Sequence, residues 1–201
     1  MTIHVPRSAS ATLRHILRAS TRESHEVLDR RFSGMLEAVD FAAYRQFVQV
    51  SHACHGAIEA GLAGTEIATL VPDWPQRSRM VSLERDMQTM ALSPLAVPCF
   101  TLEAHDLPGA LGAAYVLEGS RLGARYIHRR FIEAGVAGRW PDASFAFISG
   151  DEGVTFRDFA EILNTVAFDE AQTSACIAGA DRTFDFFSAA VSARPVFLSS
   201  K

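Results

Sequence analysis

Apolar residues recur along this chain with the period of an α-helix, in runs separated by prolines. Leu13, Ile16, Leu17, Leu28 and Phe32 fall on one side of a helix with Glu23, Glu26 and Arg30 turned largely elsewhere, which predicts an amphipathic helix over 11–31. Phe41, Tyr44, Phe47, Val48, Ile58 and Leu62 repeat the pattern. So do Ala110, Leu111, Tyr115, Leu117, Leu122, Tyr126 and Phe131, then Phe156, Phe159, Leu163 and Val166, with a weaker stretch from Arg77 to Met90. A helix interior tolerates proline poorly, and the prolines bunch at Pro72 and Pro75 and at Pro94, Pro98 and Pro108, leaving long windows free of them. The one strand-like stretch is Phe145 to Ile148, and a single short strand cannot make a sheet. The expected class is all-α, a single-domain bundle of six or seven helices.

Length and composition sharpen that expectation. A chain of 201 residues and 21.9 kDa is one domain's worth, with a core over about 9–192, and is long enough to bury roughly 70% of its unfolded surface. Hydrophobic residues at 48%, charged residues at 21% and a mean hydropathy of +0.09 fit a soluble globular protein. Nineteen basic against 23 acidic residues, a net charge of −4, argue against a nucleic-acid partner. Cys54, Cys99 and Cys176 are too few, too scattered and odd in number for a disulfide framework, so a reducing cytoplasm fits best. The first ten residues lack the apolar stretch of a secretory signal, and no run of about 18 apolar residues could span a bilayer. The expectation is a cytoplasmic protein without a membrane partner.

Candidate chemistry begins on the first helix. At 100° per residue, Arg18, His25 and Asp29 lie within about 40° of one another at the edge of the apolar stripe. Asp29, four residues on, is placed to orient the His25 ring and fix its tautomer. Arg18 lies two turns back, roughly 10 Å along the axis. That spacing suits a flat ligand with a metal at its centre and carboxylates at its rim, with His25 on the iron and Arg18 on a propionate. A core-edge histidine beside surface charges is the plainer alternative.

The second constellation runs from Gly112 through Glu118, Gly119, Ser120, Arg121, Leu122, Gly123, Ala124 and Arg125 to Tyr126. Two glycines four apart inside a helix cost about 1 kcal/mol each relative to alanine, so something must approach the backbone or the helix must bend. Close helix–helix packing would explain them. So would a planar macrocycle lying against Gly119 and Gly123.

Together the segments LRASTRESHEVLDRRF, with Leu17, Arg18, Thr21 and His25, and YVLEGSRLGARYI about 90 residues later resemble heme oxygenase of the soluble bacterial type. The similarity is strongest to the branch encoded with bacteriophytochromes. It covers nearly the whole chain and implies the heme-oxygenase-like helical fold. It assigns proximal iron ligation to His25, heme contacts to Arg18, Thr21 and Asp29, and the kinked distal helix to Gly119, Ser120 and Gly123. Arg129 and Arg130 match a basic pair near the propionate edge, and the run Phe184, Phe186 and Phe187 resembles the C-terminal helix that closes the pocket, with Phe187 against the heme. Animal members have an acidic residue where Ser120 stands, so the proton-delivery network must be built differently here.

The resemblance implies an enzyme that uses heme as both cofactor and substrate, opening it with dioxygen to biliverdin, carbon monoxide and ferrous iron. Electrons would come from a separate reductase or ferredoxin, because no flavin, nicotinamide or iron–sulfur fingerprint is present. A bacteriophytochrome is the expected recipient of biliverdin. The main alternative is a carrier or sensor that holds heme through His25 without degrading it. Two other sites come from the residues themselves: His52, His55 and Glu59 as ligands of a di-iron centre, which would need further carboxylates from other helices, and Cys99 as a thiol nucleophile without a recognisable base.

Overall fold

The computed structural model describes residues 11–150 and 153–193, and among them nine helices follow one another. They are α1 (Leu13–Ser20), α2 (Arg22–Glu37), α3 (Phe41–Ala63), α4 (Met80–Thr89), α5 (Leu107–Glu133), α6 (Val136–Arg139), α7 (Ala146–Ser149), α8 (Phe156–Thr165) and α9 (Glu170–Ala190). Seven exceed a single turn, and α6 and α7 are four-residue turns of helix that periodicity cannot reveal. Two 3₁₀ turns, Ile67–Thr69 and Trp74–Arg77, link α3 to α4. No strand occurs among the described residues, and none of the described helices is long and apolar enough to cross a membrane.

Local chemistry sets the helix ends. The Asp40 carboxylate accepts from the Ala42 N–H at 2.9 Å to start α3, and Asp106 accepts from the Gly109 N–H at 2.8 Å, with Pro108 in the first turn of α5. Reciprocal side-chain and backbone bonds, Thr155 with Asp158 and Asp169 with Gln172, start α8 and α9.

Two expectations change in the structure. The helix expected over 11–31 divides at Thr21, where φ −93° and ψ 6° leave the helical region. The Thr21 hydroxyl donates to Leu17 O at 2.8 Å and competes for the helical acceptor. The backbone bonds on either side, Thr21 N–H to Leu17 O and His25 N–H to Thr21 O, are kept, so the face arithmetic carries across the junction. The strand-like stretch at Phe145 is instead the start of α7. Its N-terminal groups converge on the buried Asp86 carboxylate, which accepts from the Ser144 hydroxyl at 2.5 Å, Ala146 N–H at 2.8 Å and Phe147 N–H at 2.9 Å. With those donors satisfied locally, Phe147 and Ile148 are buried without a partner strand.

α5 and α9 form the spine. A Cβ on Gly112 would lie 1.9 Å from Cys176 O, and one on Gly179 would lie 2.2 Å from Gly109 O, so the two backbones touch through glycine. α5 spans two apolar clusters. Its N-terminal half packs Leu111, Ala114 and Leu117 with Leu17, Ile58, Phe159 and Phe184. Its C-terminal half packs Ile127 and Phe131 with Tyr44, Val48, Leu83 and Trp140, and the Tyr44 hydroxyl donates to Ser144 O at 2.7 Å.

Candidate functional site

The site grows from the α1–α2 junction. Thr21 is buried there, and the Tyr115 hydroxyl of α5 reaches its side chain within the field of Arg14 and Arg18. From that meeting point His25 on α2 and Gly119 on α5 each lie four residues further on, about 6 Å along each axis. Leu13 and Leu17 bury the opposite side of α1, which leaves Arg18 exposed in its last turn.

His25 stands 61% exposed, with Nδ1 3.0 Å from Asp29 Oδ2. The Asp29 hydrogen bond is the main cause of a His25 pKa held above its ordinary value, against partial desolvation. Donation from Nδ1–H to Asp29 leaves the Nε2 lone pair outward, the tautomer a metal requires. The Phe184 and His25 rings meet in a T-shaped arrangement with centroids 5.9 Å apart, and Ser24 donates to Asp181 at 2.9 Å, so α9 braces α2.

α5 presents an unusual face of its own. A Cβ built on Gly119 or Gly123 meets nothing within 4 Å, the reverse of Gly112. Leu122 and Tyr126, on the same face at helical spacing, are 50% and 56% exposed. Gly119, Leu122, Gly123 and Tyr126 therefore make an apolar stripe, half exposed at its side chains and open at its glycines among the described residues. An open stripe of this kind marks a ligand face, since packing would have filled it.

The remaining faces of α5 are locked by buried charge. Arg77 donates to Glu118 Oε2 at 2.7 Å and pairs with Asp73 at 2.9 Å, and Arg121 donates to Glu118 Oε1 at 3.0 Å. Arg77, Glu118 and Arg121 are all buried. Desolvation pushes the Glu118 pKa up, and the two guanidiniums oppose it. Ser120 turns toward α3: its hydroxyl donates to Leu117 O at 2.6 Å and sits 3.5 Å from His55 Nε2 and 3.4 Å from an Arg79 nitrogen. Arg79 stacks 3.9 Å over the Phe147 ring and donates to Phe147 O.

The structure sets His25, Asp29 and Arg18 on exposed positions of α1 and α2 around the buried Thr21, and Gly119 and Gly123 on an open side of α5, with Ser120 turned away toward His55 on α3. Others lie elsewhere. Phe187 is buried with its ring edge-on to His55 at 6.1 Å, and Phe184, one turn earlier, is the α9 aromatic at His25. Arg129 and Arg130 occupy the exposed end of α5, where Arg130 pairs with Glu133 at 2.9 Å. His55 and Glu59 pair with each other, and no described group of three His, Cys, Asp or Glu side chains could hold a metal ion, so the described residues supply no di-iron centre. Cys99 is exposed, whereas burial pushes the Cys54 and Cys176 thiols up to about 12. The buried Arg77–Glu118–Arg121 cluster escaped the sequence reading; its one sequence trace is Glu118 and Arg121, three apart inside an apolar run.

The heme oxygenase family model matches residues 98–193, from the segment before α5 to the end of α9. A crystal structure of the NO- and CO-bound heme oxygenase from Neisseria meningitidis superposes with a TM-score of 0.70 at 21% identity, covering 90% of this chain and 91% of that one. No curated protein sequence matches the chain. Residues 98–193 thus match the heme oxygenase family model, and the chain shares the all-α fold of that solved heme oxygenase along 90% of its length.

Proposed function

We propose that the protein acts as one heme-oxygenase-like domain that binds heme between α2 and the open face of α5 and cleaves it to biliverdin, carbon monoxide and ferrous iron. The observation that carries this is the open Gly119–Leu122–Gly123–Tyr126 stripe on α5 together with an exposed, carboxylate-oriented His25 on α2. A heme fits that cradle: the plane needs a surface without Cβ atoms, and the iron needs one outward imidazole nitrogen. Bound heme supplies the iron that activates dioxygen and is itself the molecule oxidised.

The chain's own residues position and shield. His25 ligates through Nε2, and Asp29 holds its Nδ1 proton. Arg18 pairs with a propionate, and Thr21 braces the junction that sets the height of His25. Gly119 and Gly123 would admit the macrocycle close to the backbone. Leu122 and Tyr126 would shield the macrocycle from water, and Ser120 lies between the two glycines in the chain with its hydroxyl turned toward His55. Arg129 and Arg130 supply positive charge beyond them, and Phe187 acts indirectly through the α9 packing. Electrons come from a separate reductase or ferredoxin, for which the exposed Arg125 and Arg129 offer complementary charge to an acidic donor. The finer roles, a bacterial cytoplasmic enzyme handing biliverdin to a phytochrome, rest on the likeness of its two motifs to that branch.

Hemin titration tests the cradle. The wild-type protein is expected to give the Soret band of an imidazole-ligated complex, and His25→Ala to lose that ligation and regain it with added imidazole. Unchanged spectra in His25→Ala would overturn the assignment of His25.

A further inference from the structure

Where α3 ends, the two 3₁₀ turns that follow it leave a cleft of about 290 Å³, at the small end of the range for ligand pockets. Its walls are largely apolar, with Leu62, Ile67, Trp74 and Pro75 among them. Bonds within the turns fix those walls. The Thr65 hydroxyl donates to Leu62 O at 2.8 Å, the Trp74 N–H donates to Val71 O at 2.9 Å, and Asp73 pairs with Arg77 at 2.9 Å. The cleft is therefore formed before anything enters it, which spares a ligand the cost of ordering it. Against the apolar walls stand the Glu59 carboxylate, 17% exposed, and the exposed Ser78.

We propose that this cleft binds a small primary ammonium on a short apolar tail, with the ammonium donating to Glu59 Oε2 and the tail against Leu62, Ile67 and Trp74. The site is separate from the face of α5 assigned to heme and does not rest on that assignment. Glu59 Oε1 already has two neighbours, the Arg79 backbone N–H and His55 Nδ1, each at 3.4 Å. Oε2 accepts one bond, from the Ser78 hydroxyl at 2.5 Å. A carboxylate offers about four lone-pair positions, so the one left open is on Oε2.

Charge selects the class of ligand. Burial works against ionised Glu59, but the bonds from His55, Ser78 and the Arg79 backbone hold its carboxyl below the usual range, so the cleft carries a negative charge at neutral pH. Burial also keeps the His55 ring neutral, so it leaves that charge in place. The nearby guanidiniums are turned to other groups, Arg77 to Asp73 and Glu118 and Arg79 to Phe147. A cation is thus attracted, an anion is repelled, and a neutral apolar guest would strip water from the carboxylate without replacing its bonds. Among cations, a guanidinium binds best across both carboxylate oxygens, and Oε1 is taken. A single-point ammonium fits the one open position, and its stem suits the apolar walls.

Trp74 reports on the cleft, and Trp140, buried in the other apolar cluster, is its internal control. In ¹H–¹⁵N spectra of the heme-free protein the Trp74 indole N–H, assigned with Trp74→Phe, is expected to shift on addition of n-pentylammonium. The shift should saturate with a Kd on the order of 1 mM or below, while the Trp140 signal stays in place. At equal length 1-pentanol should need at least about tenfold more, and hexanoate should give no shift. Glu59→Gln, which keeps the shape and an oxygen for Ser78, should weaken n-pentylammonium at least about tenfold. Ala68→Phe, which fills the cleft from an exposed lining position, should abolish the shift with Glu59 intact. No saturable Trp74 shift in the wild type, an equal response to 1-pentanol, or undiminished binding in either variant overturns the site. The comparison of n-pentylammonium with 1-pentanol uses the wild type alone, so it decides the matter even where a variant fails to fold.

Discussion

Glu118 shows how much of this site depends on residues that never meet the ligand. Two buried guanidiniums converge on its carboxylate, and a buried charge stripped of its partner costs far more than the pair contributes. Glu118→Gln is therefore expected to destabilise the heme-free protein by about 3–5 kcal/mol in urea unfolding; a loss under about 1 kcal/mol would mean that Arg77 and Arg121 find other acceptors. At this scale the sequence is legible where the chemistry is local. His25 and Asp29 are four residues apart on one helix, and their 3.0 Å contact is what that spacing requires. Partners set by tertiary packing are not legible: Arg77 and Glu118 are 41 residues apart, and the choice of Phe184 over Phe187 depends on how α9 is rotated against α2.

The helix α5 uses glycine in two opposite ways, and substitution separates them. Gly119 and Gly123 cost helical stability without any protein contact that needs them. Gly119→Ala and Gly123→Ala should each raise the stability of the heme-free protein, by up to about 1 kcal/mol, while weakening hemin binding or turnover. Gly112→Ala and Gly179→Ala should instead destabilise, because the added Cβ would meet backbone at 1.9 and 2.2 Å. Unfolding curves with and without hemin check both halves, and a destabilised heme-free Gly119→Ala would remove the ligand argument. Periodicity reveals α3, α5 and α8, and more weakly α4, because each buries one continuous stripe, whereas α9 is legible only through the resemblance carried by Phe184, Phe186 and Phe187. It misplaces the Thr21 junction and α7, since a single hydroxyl on Leu17 O and one buried carboxylate at Asp86 decide those.

Across the whole molecule the titrating histidines pull stability in two directions. Burial holds the pKa values of His55 and His52 below the ordinary 6.5, so under acid conditions the unfolded chain binds more protons than the folded one. Stability falls as pH drops below about 6.5, and His55→Gln should flatten that acid limb. His25, raised by Asp29, works oppositely: its contribution is complete below 6.5 and is lost as pH rises through its folded value. Urea midpoints of the heme-free protein should therefore peak near pH 6.5, and a midpoint that climbs steadily toward pH 5 would contradict the burial of His55. The same molecule leaves an apolar stripe on α5 open among its described residues, the face proposed for heme. The most direct test of that occupant's fate is to load the protein with one equivalent of hemin, add an electron donor in air and quantify carbon monoxide as the Soret band decays. The account predicts one carbon monoxide per heme together with a growing long-wavelength biliverdin band; a Soret complex that persists under reduction and releases none would contradict it.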